Sequence, residues 1–130
     1  MRPEEYSPLN LAYLGDAVFE LMARETLVTG SLDNVRSLFG KSKAYVSAAA
    51  QSRFYFNVFE RLTPDEQRIA KRGRNCKPSG RAKNSSVAEY RHATGLEALF
   101  GYLYLSGNNE RLKEIFALCV PSKENSDEKQ

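Results

Sequence analysis

The chain has 130 residues, 42% of them hydrophobic and 27% charged, with a net charge of +3; that suffices for one domain around one core and is too little for two. No apolar run approaches the roughly 18 residues that a membrane-spanning helix requires, and the amino terminus lacks the charged-then-apolar pattern of a signal peptide, so a cytoplasmic protein without a membrane partner is expected. A single histidine and two widely separated cysteines, Cys76 and Cys119, argue against a Cys/His zinc site and fit free thiols in a reducing compartment.

The predicted elements are all helical. Ser7 and Pro8 supply a cap and a first-turn proline, and Leu11, Leu14, Ala17, Val18, Leu21 and Met22 follow at helical spacing until Gly30. Ser31 opens a short helix that stops at Gly40, and Ser42 opens a longer one through Tyr45, Val46, Ala49, Phe56 and Phe59 to Leu62. Thr63, Pro64, Asp65 and Glu66 combine a capping box with a proline at the first helical position, which predicts a helix to Arg72 ended by Gly73. Between residues 73 and 86, glycine, proline, serine and asparagine without apolar periodicity predict a loop. A long helix covers Val87–Leu105, and after the turn at Ser106-Gly107-Asn108-Asn109 a last amphipathic helix carries Leu112, Ile115, Phe116, Leu118 and Cys119. Residues 121–130 contain no large apolar side chain and read as a flexible tail behind a domain of residues 1–120. With no alternating strand pattern and no glycine-rich phosphate loop, the fold class is all-α, a helical bundle.

Positive charge is not spread evenly. Residues 71–91 hold Lys71, Arg72, Arg74, Lys77, Arg81, Lys83 and Arg91 against Glu89 alone, a local +6 that leaves −3 for the rest of the chain. The acid-free residues 34–59 add Arg36, Lys41, Lys43 and Arg53. Such a concentration beside an acidic remainder points to a polyanion as partner. Asn75, Ser79, Asn84 and Ser85 add neutral donors suited to phosphate or 2′-hydroxyl oxygens.

Two acids sit within strongly apolar helical segments among small neighbours: Asp16, beside Gly15 and one turn after Ala12, and Glu97, near Thr94, Gly95 and Gly101. Glycine inside a helix costs about 1 kcal/mol relative to alanine, so its repeated use here calls for close packing or a ligand. If the two helices cross at these points, the carboxylates face one small space. They would repel each other unless a cation lies between them, and two hard oxygen donors suit Mg2+, with Mn2+ as a substitute. Glu20 lies four residues before Arg24 and reads instead as a helix-surface ion pair, and His92 reads as a structural residue.

The residues that surround these acids also carry a resemblance. "LAYLGDAVFEL" resembles the signature helix of the ribonuclease III family, and "GLEALFGYLYL" resembles that family's second catalytic helix. The longer segment "KRGRNCKPSGRAKNSSVAEYRHATGLEALFGYLYL" is similar in order and spacing to the short bacterial subfamily Mini-ribonuclease III. The resemblance implies a helical endonuclease domain that acts as a homodimer on double-stranded RNA with Mg2+, leaves a 5′ phosphate and a 3′ hydroxyl, and matures large-subunit (23S) ribosomal RNA. It implies Asp16 and Glu97 as catalytic metal ligands. Lys43, Arg72, Arg74, Asn75, Lys77, Lys83 and Asn84 are then the candidate RNA-binding residues. Ala12 and Thr94 stand where longer family members carry further acids, a reduction shared with the subfamily that favours one ion per site. The same reduction leaves an alternative, a non-catalytic double-stranded-RNA-binding or ribosome-associated module on the same fold.

Overall fold

The computed structural model describes residues 1–77 and 86–120, and the expected tail lies outside them. A 3-10 turn at Pro3–Glu5 leads into six helices: α1 (Pro8–Gly30), α2 (Val35–Val46), α3 (Ala48–Phe59), α4 (Pro64–Arg74), α5 (Val87–Leu105) and α6 (Asn109–Cys119). Among the described residues there is no strand. Each helix starts where a side chain satisfies an otherwise free amide: Ser7, Asn34, Ser47, Thr63, Ser86 and Asn108 all accept a hydrogen bond from the first turn of the helix they precede. Thr63/Glu66 and Ser86/Glu89 close complete capping boxes.

Helix α5 runs through the centre, packed against α1, α3, α4 and α6. Its apolar residues are distributed all around the axis, as a helix covered on every side requires, and Leu96, Ala98, Leu99, Phe100 and Leu103 are fully or nearly fully buried. The core closes on Phe19, whose ring meets Phe100 edge-on at 5.1 Å and lies 5.3 Å from Phe116 and 6.1 Å from Phe54. Cys119 is buried and Cys76 half-buried, and neither forms a disulfide.

Several helix boundaries differ from the sequence expectation: α2 is opened by Asn34 rather than Ser31, and α3 ends at Phe59 rather than Leu62. The break between α2 and α3 falls at Ser47 rather than Gly40, because the Ser47 hydroxyl caps the Ala50 amide while its own amide donates to the Lys43 carbonyl. Gly40 stays inside α2, so Lys43 belongs to the last turn of α2 and not to a helix start. Gly73 likewise does not end α4. The helix continues to Arg74, and Gly73 is buried where α4 crosses α5: a Cβ there would lie 2.9 Å from that of Ala98 and 3.0 Å from the Gly95 Cα.

An ion pair joins α4 to α6. The Arg111 guanidinium meets Glu66 with both arms, Nε to Oε2 at 2.8 Å and Nη2 to Oε1 at 2.7 Å, and Nη2 also donates to the Arg61 carbonyl at 3.1 Å. Burial alone would raise the Glu66 carboxyl, but the Arg111 hydrogen bonds and the Thr63 amide outweigh it and hold the group below the usual carboxylate value.

Candidate active site

Helices α1 and α5 cross backbone to backbone. A Cβ on Gly15 would fall 1.6 Å from the Glu97 carbonyl oxygen, and one on Gly101 would fall 2.0 Å from the Leu11 carbonyl oxygen. Only residues without side chains fit at that separation. Because Asp16 directly follows Gly15, and the Gly15 backbone lies against that of Glu97, the crossing sets the two acids side by side. Their carboxyl groups lie close enough to interact. Gly95 serves a different contact from the one its nearness to Glu97 suggests: it admits the Ala70 carbonyl of α4 and the Tyr55 ring of α3.

The two acids are not equivalent. Asp16 is exposed and Glu97 half-buried, so the cost of holding a charge at this crossing falls on Glu97 and not, as the apolar run around Asp16 suggests, on Asp16. Burial, followed by the Asp16 charge and the hydrogen bond between the pair, pushes the Glu97 carboxyl up to about 9, while the Gln51 side chain pulls it the other way. Two carboxyl groups set side by side are a donor set that suits a hard divalent cation, with water completing its shell. The residues therefore fit Mg2+ or Mn2+. Among the described residues no group of three or more His, Cys, Asp or Glu side chains is placed to hold a metal. Ala12 is buried with Leu11, Ile69 and Ala98, and the Thr94 hydroxyl donates to the Tyr90 carbonyl at 2.9 Å, so neither position adds a carboxylate.

The expected RNA-binding residues divide. Lys77 is exposed just after α4, and Asn75 caps that helix while its Oδ1 accepts from Arg74 Nε at 3.1 Å. Arg72 donates to the Glu4 carbonyl at 3.0 Å and ties the amino-terminal turn to α4, a structural task the sequence does not announce. Lys43 is exposed on α2. Lys83 and Asn84 lie outside the described residues. Glu20 pairs with Arg24 at 3.1 Å; His92 places Nδ1 2.7 Å from the Ala88 carbonyl and packs its ring on Tyr55 and Phe56.

A hollow of about 600 Å³ lies between the end of α1, α2 and α6 and contains neither acid. The carboxylates stand on an open helix crossing, which suits a large substrate better than an enclosed small molecule. One residue of the site escapes sequence reasoning: Gln51, in the run Ala48-Ala49-Ala50-Gln51, is 2% exposed on α3 and lies near enough to Glu97 to act on its carboxyl.

Residues 9–108 match the family described as the ribonuclease III domain. The chain belongs to the ribonuclease III family. Among its relatives named Mini-ribonuclease 3, that of Clostridium tetani is 41% identical over 98% of this chain and 85% of its own length. That of Symbiobacterium thermophilum is 44% identical over 87% of each chain, and that of Enterococcus faecalis 40% identical over 96% and 98%. A crystal structure of a Fusobacterium nucleatum protein superposes with a TM-score of 0.79 at 37% identity, covering 88% of this chain and 91% of that one. Membership in the ribonuclease III family, with Mini-ribonuclease 3 proteins as relatives over nearly the whole chain, makes this an endoribonuclease and sets aside a purely non-catalytic module. No described helix is long and apolar enough to cross a membrane.

Proposed function

We propose that this endoribonuclease cleaves double-stranded RNA with Mg2+, or Mn2+ in its place, held by Asp16 and Glu97, leaving 5′ phosphate and 3′ hydroxyl ends, and that its cellular substrate is precursor 23S ribosomal RNA. The observation that carries this reading is the pair of carboxyl groups brought together by the Gly15–Gly101 crossing, one exposed and one half-buried. A bound divalent cation would supply positive charge opposite a phosphodiester and a more acidic water. Asp16, the exposed partner, faces the side from which a phosphate arrives. Glu97 sits on the central helix α5, half-buried behind Asp16. Arg74, Asn75, Lys77, Lys83 and Asn84 grip phosphates along the duplex, with Lys43 as a further contact. Recognition through phosphates and 2′-hydroxyls reads duplex shape more than sequence.

The reading includes a homodimer, since cutting both strands takes two sites of opposite polarity and a two-fold axis supplies them. The aromatic-rich segments at residues 54–59 and 99–105 mostly fill the monomer's own core: Phe54, Tyr55 and Phe100 are buried, leaving Phe56 and Tyr104 outside. The better support for a partner copy is on α1 and α2. Tyr13, Leu21 and Val28 expose one face of α1 beside Asp16, and Val35 and Phe39 of α2 are exposed as well. Large exposed apolar residues gathered on neighbouring helices favour a protein partner. The test is incubation with a long, perfectly paired RNA and Mg2+. Staggered cuts with 5′ phosphates, from a species of twice 14.7 kDa by light scattering, are expected; an intact duplex would refute the reading.

A further inference from the structure

We infer that Gln51 is a positioning residue for the cation site, its side-chain amide donating to the Glu97 carboxylate and fixing the direction in which that carboxylate presents its free oxygen. The inference rests on the reading of Asp16 and Glu97 as cation ligands and adds a third residue, from a third helix, to their arrangement.

Gln51 has no bland reason to be where it is. It follows three alanines at the start of α3, on the face that packs against α5, and its side chain is 2% exposed. Its Nε2 finds no hydrogen-bond partner of good geometry among the described residues. A buried donor left unmade is costly, and leucine or methionine would fill the same volume without that cost. Glu97 of α5 lies within reach of that amide across the contact between α3 and α5. A carboxylate that gives one oxygen to a cation and brings the other against Gln51 would complete the missing hydrogen bond, so binding and satisfaction of the amide are coupled. Partners of this kind orient metal-ligating side chains from behind, and their loss commonly lowers metal affinity by 10- to 100-fold.

The probe is Mn2+ alone, titrated into RNA-free protein and read by electron paramagnetic resonance, with Gln51→Met as the variant because it keeps length and packing but removes the donor. Roughly tenfold weaker Mn2+ binding, an unchanged or higher Tm, and a fall in kcat on duplex RNA without a change in KM are expected. Wild-type Mn2+ affinity in Gln51→Met would overturn the inference, as would a loss of Tm with affinity intact, the signature of a packing role. If that variant does not fold, the wild-type protein decides. The Gln51 side-chain amide resonances should shift when Mg2+ is added to wild type and stay still in Glu97→Gln; amide resonances indifferent to Mg2+ would overturn the inference. Failure of wild-type protein to bind Mn2+ at all would instead refute the cation reading of Asp16 and Glu97.

Discussion

The backbone of Gly15 lies so close to Glu97 that a Cβ there would stand 1.6 Å from the Glu97 carbonyl oxygen. This contact both holds the fold together, at the crossing of the first helix with the central one, and fixes how far apart the two acids can be. Stability and site geometry are therefore coupled at one point.

Gly15→Ala and Gly101→Ala should each destabilise the protein by more than about 3 kcal/mol, beyond the usual cost of overpacking, because the obstructing atoms are backbone carbonyls that cannot rotate away. Gly40→Ala, on α2 with open space around it, should be neutral or stabilising by up to about 1 kcal/mol. Urea unfolding of the three variants checks the contrast, and equal effects would contradict it.

The raised Glu97 carboxyl gives a pH dependence of definite sign. In cation-free protein Glu97 ionises near 9 when folded and near its ordinary 4.5 when unfolded. Between these values the folded state holds the extra proton, so stability should fall as pH rises from about 5 to 9. Glu97→Gln should flatten that slope. Thermal melts in a chelating buffer across this range test both statements, and Mg2+ should restore stability to wild type at pH 8 but not to Glu97→Gln.

Glu66 has the opposite sign. Its lowered carboxyl contributes stability above its ordinary value of 4.5 and loses it as pH falls through the folded value. Arg111→Met leaves Glu66 buried without its partner and should cost about 3 kcal/mol at pH 7, less at pH 4, where the stranded carboxylate can protonate. A loss independent of pH would show that Arg111 matters through packing alone.

Replacing Arg74, Lys77 and Lys83 together by alanine should weaken duplex RNA binding for every sequence and reduce the slope of log K against log salt by up to about 2 to 3. Arg72 is left out because its guanidinium holds the Glu4 carbonyl, and Arg72→Ala would confound binding with stability. Filter binding at several salt concentrations gives the answer; an unchanged slope would mean that these charges form only a solvated face.

Much of this was legible in the chain itself. The helix starts at Ser7 and Thr63 were read from their caps, since a cap is a local hydrogen bond written within four residues, but Ser31 and Ser42 were taken as caps where Asn34 and Ser47 serve. Glycines misled where they were taken as stops: Gly40 and Gly73 stay within helices, the latter because α5 needs room there. The pairing of Asp16 with Glu97 could be suspected from the small residues around them, but which acid is buried depends on how the helices roll against each other. Gln51 in an alanine run and Arg111, 45 residues from Glu66, carry no local signal. Their roles exist only once α3 and α6 are docked.

The central claim is that Asp16 and Glu97 together carry the chemistry, and one comparison tests it most directly: cleavage of a long RNA duplex with Mg2+ by wild type, Asp16→Asn and Glu97→Gln, with RNA affinity measured on the same preparations. Each substitution should lower kcat by at least about 100-fold while binding of the duplex stays within a few-fold of wild type. Substantial Mg2+-dependent turnover by either folded variant would contradict the account.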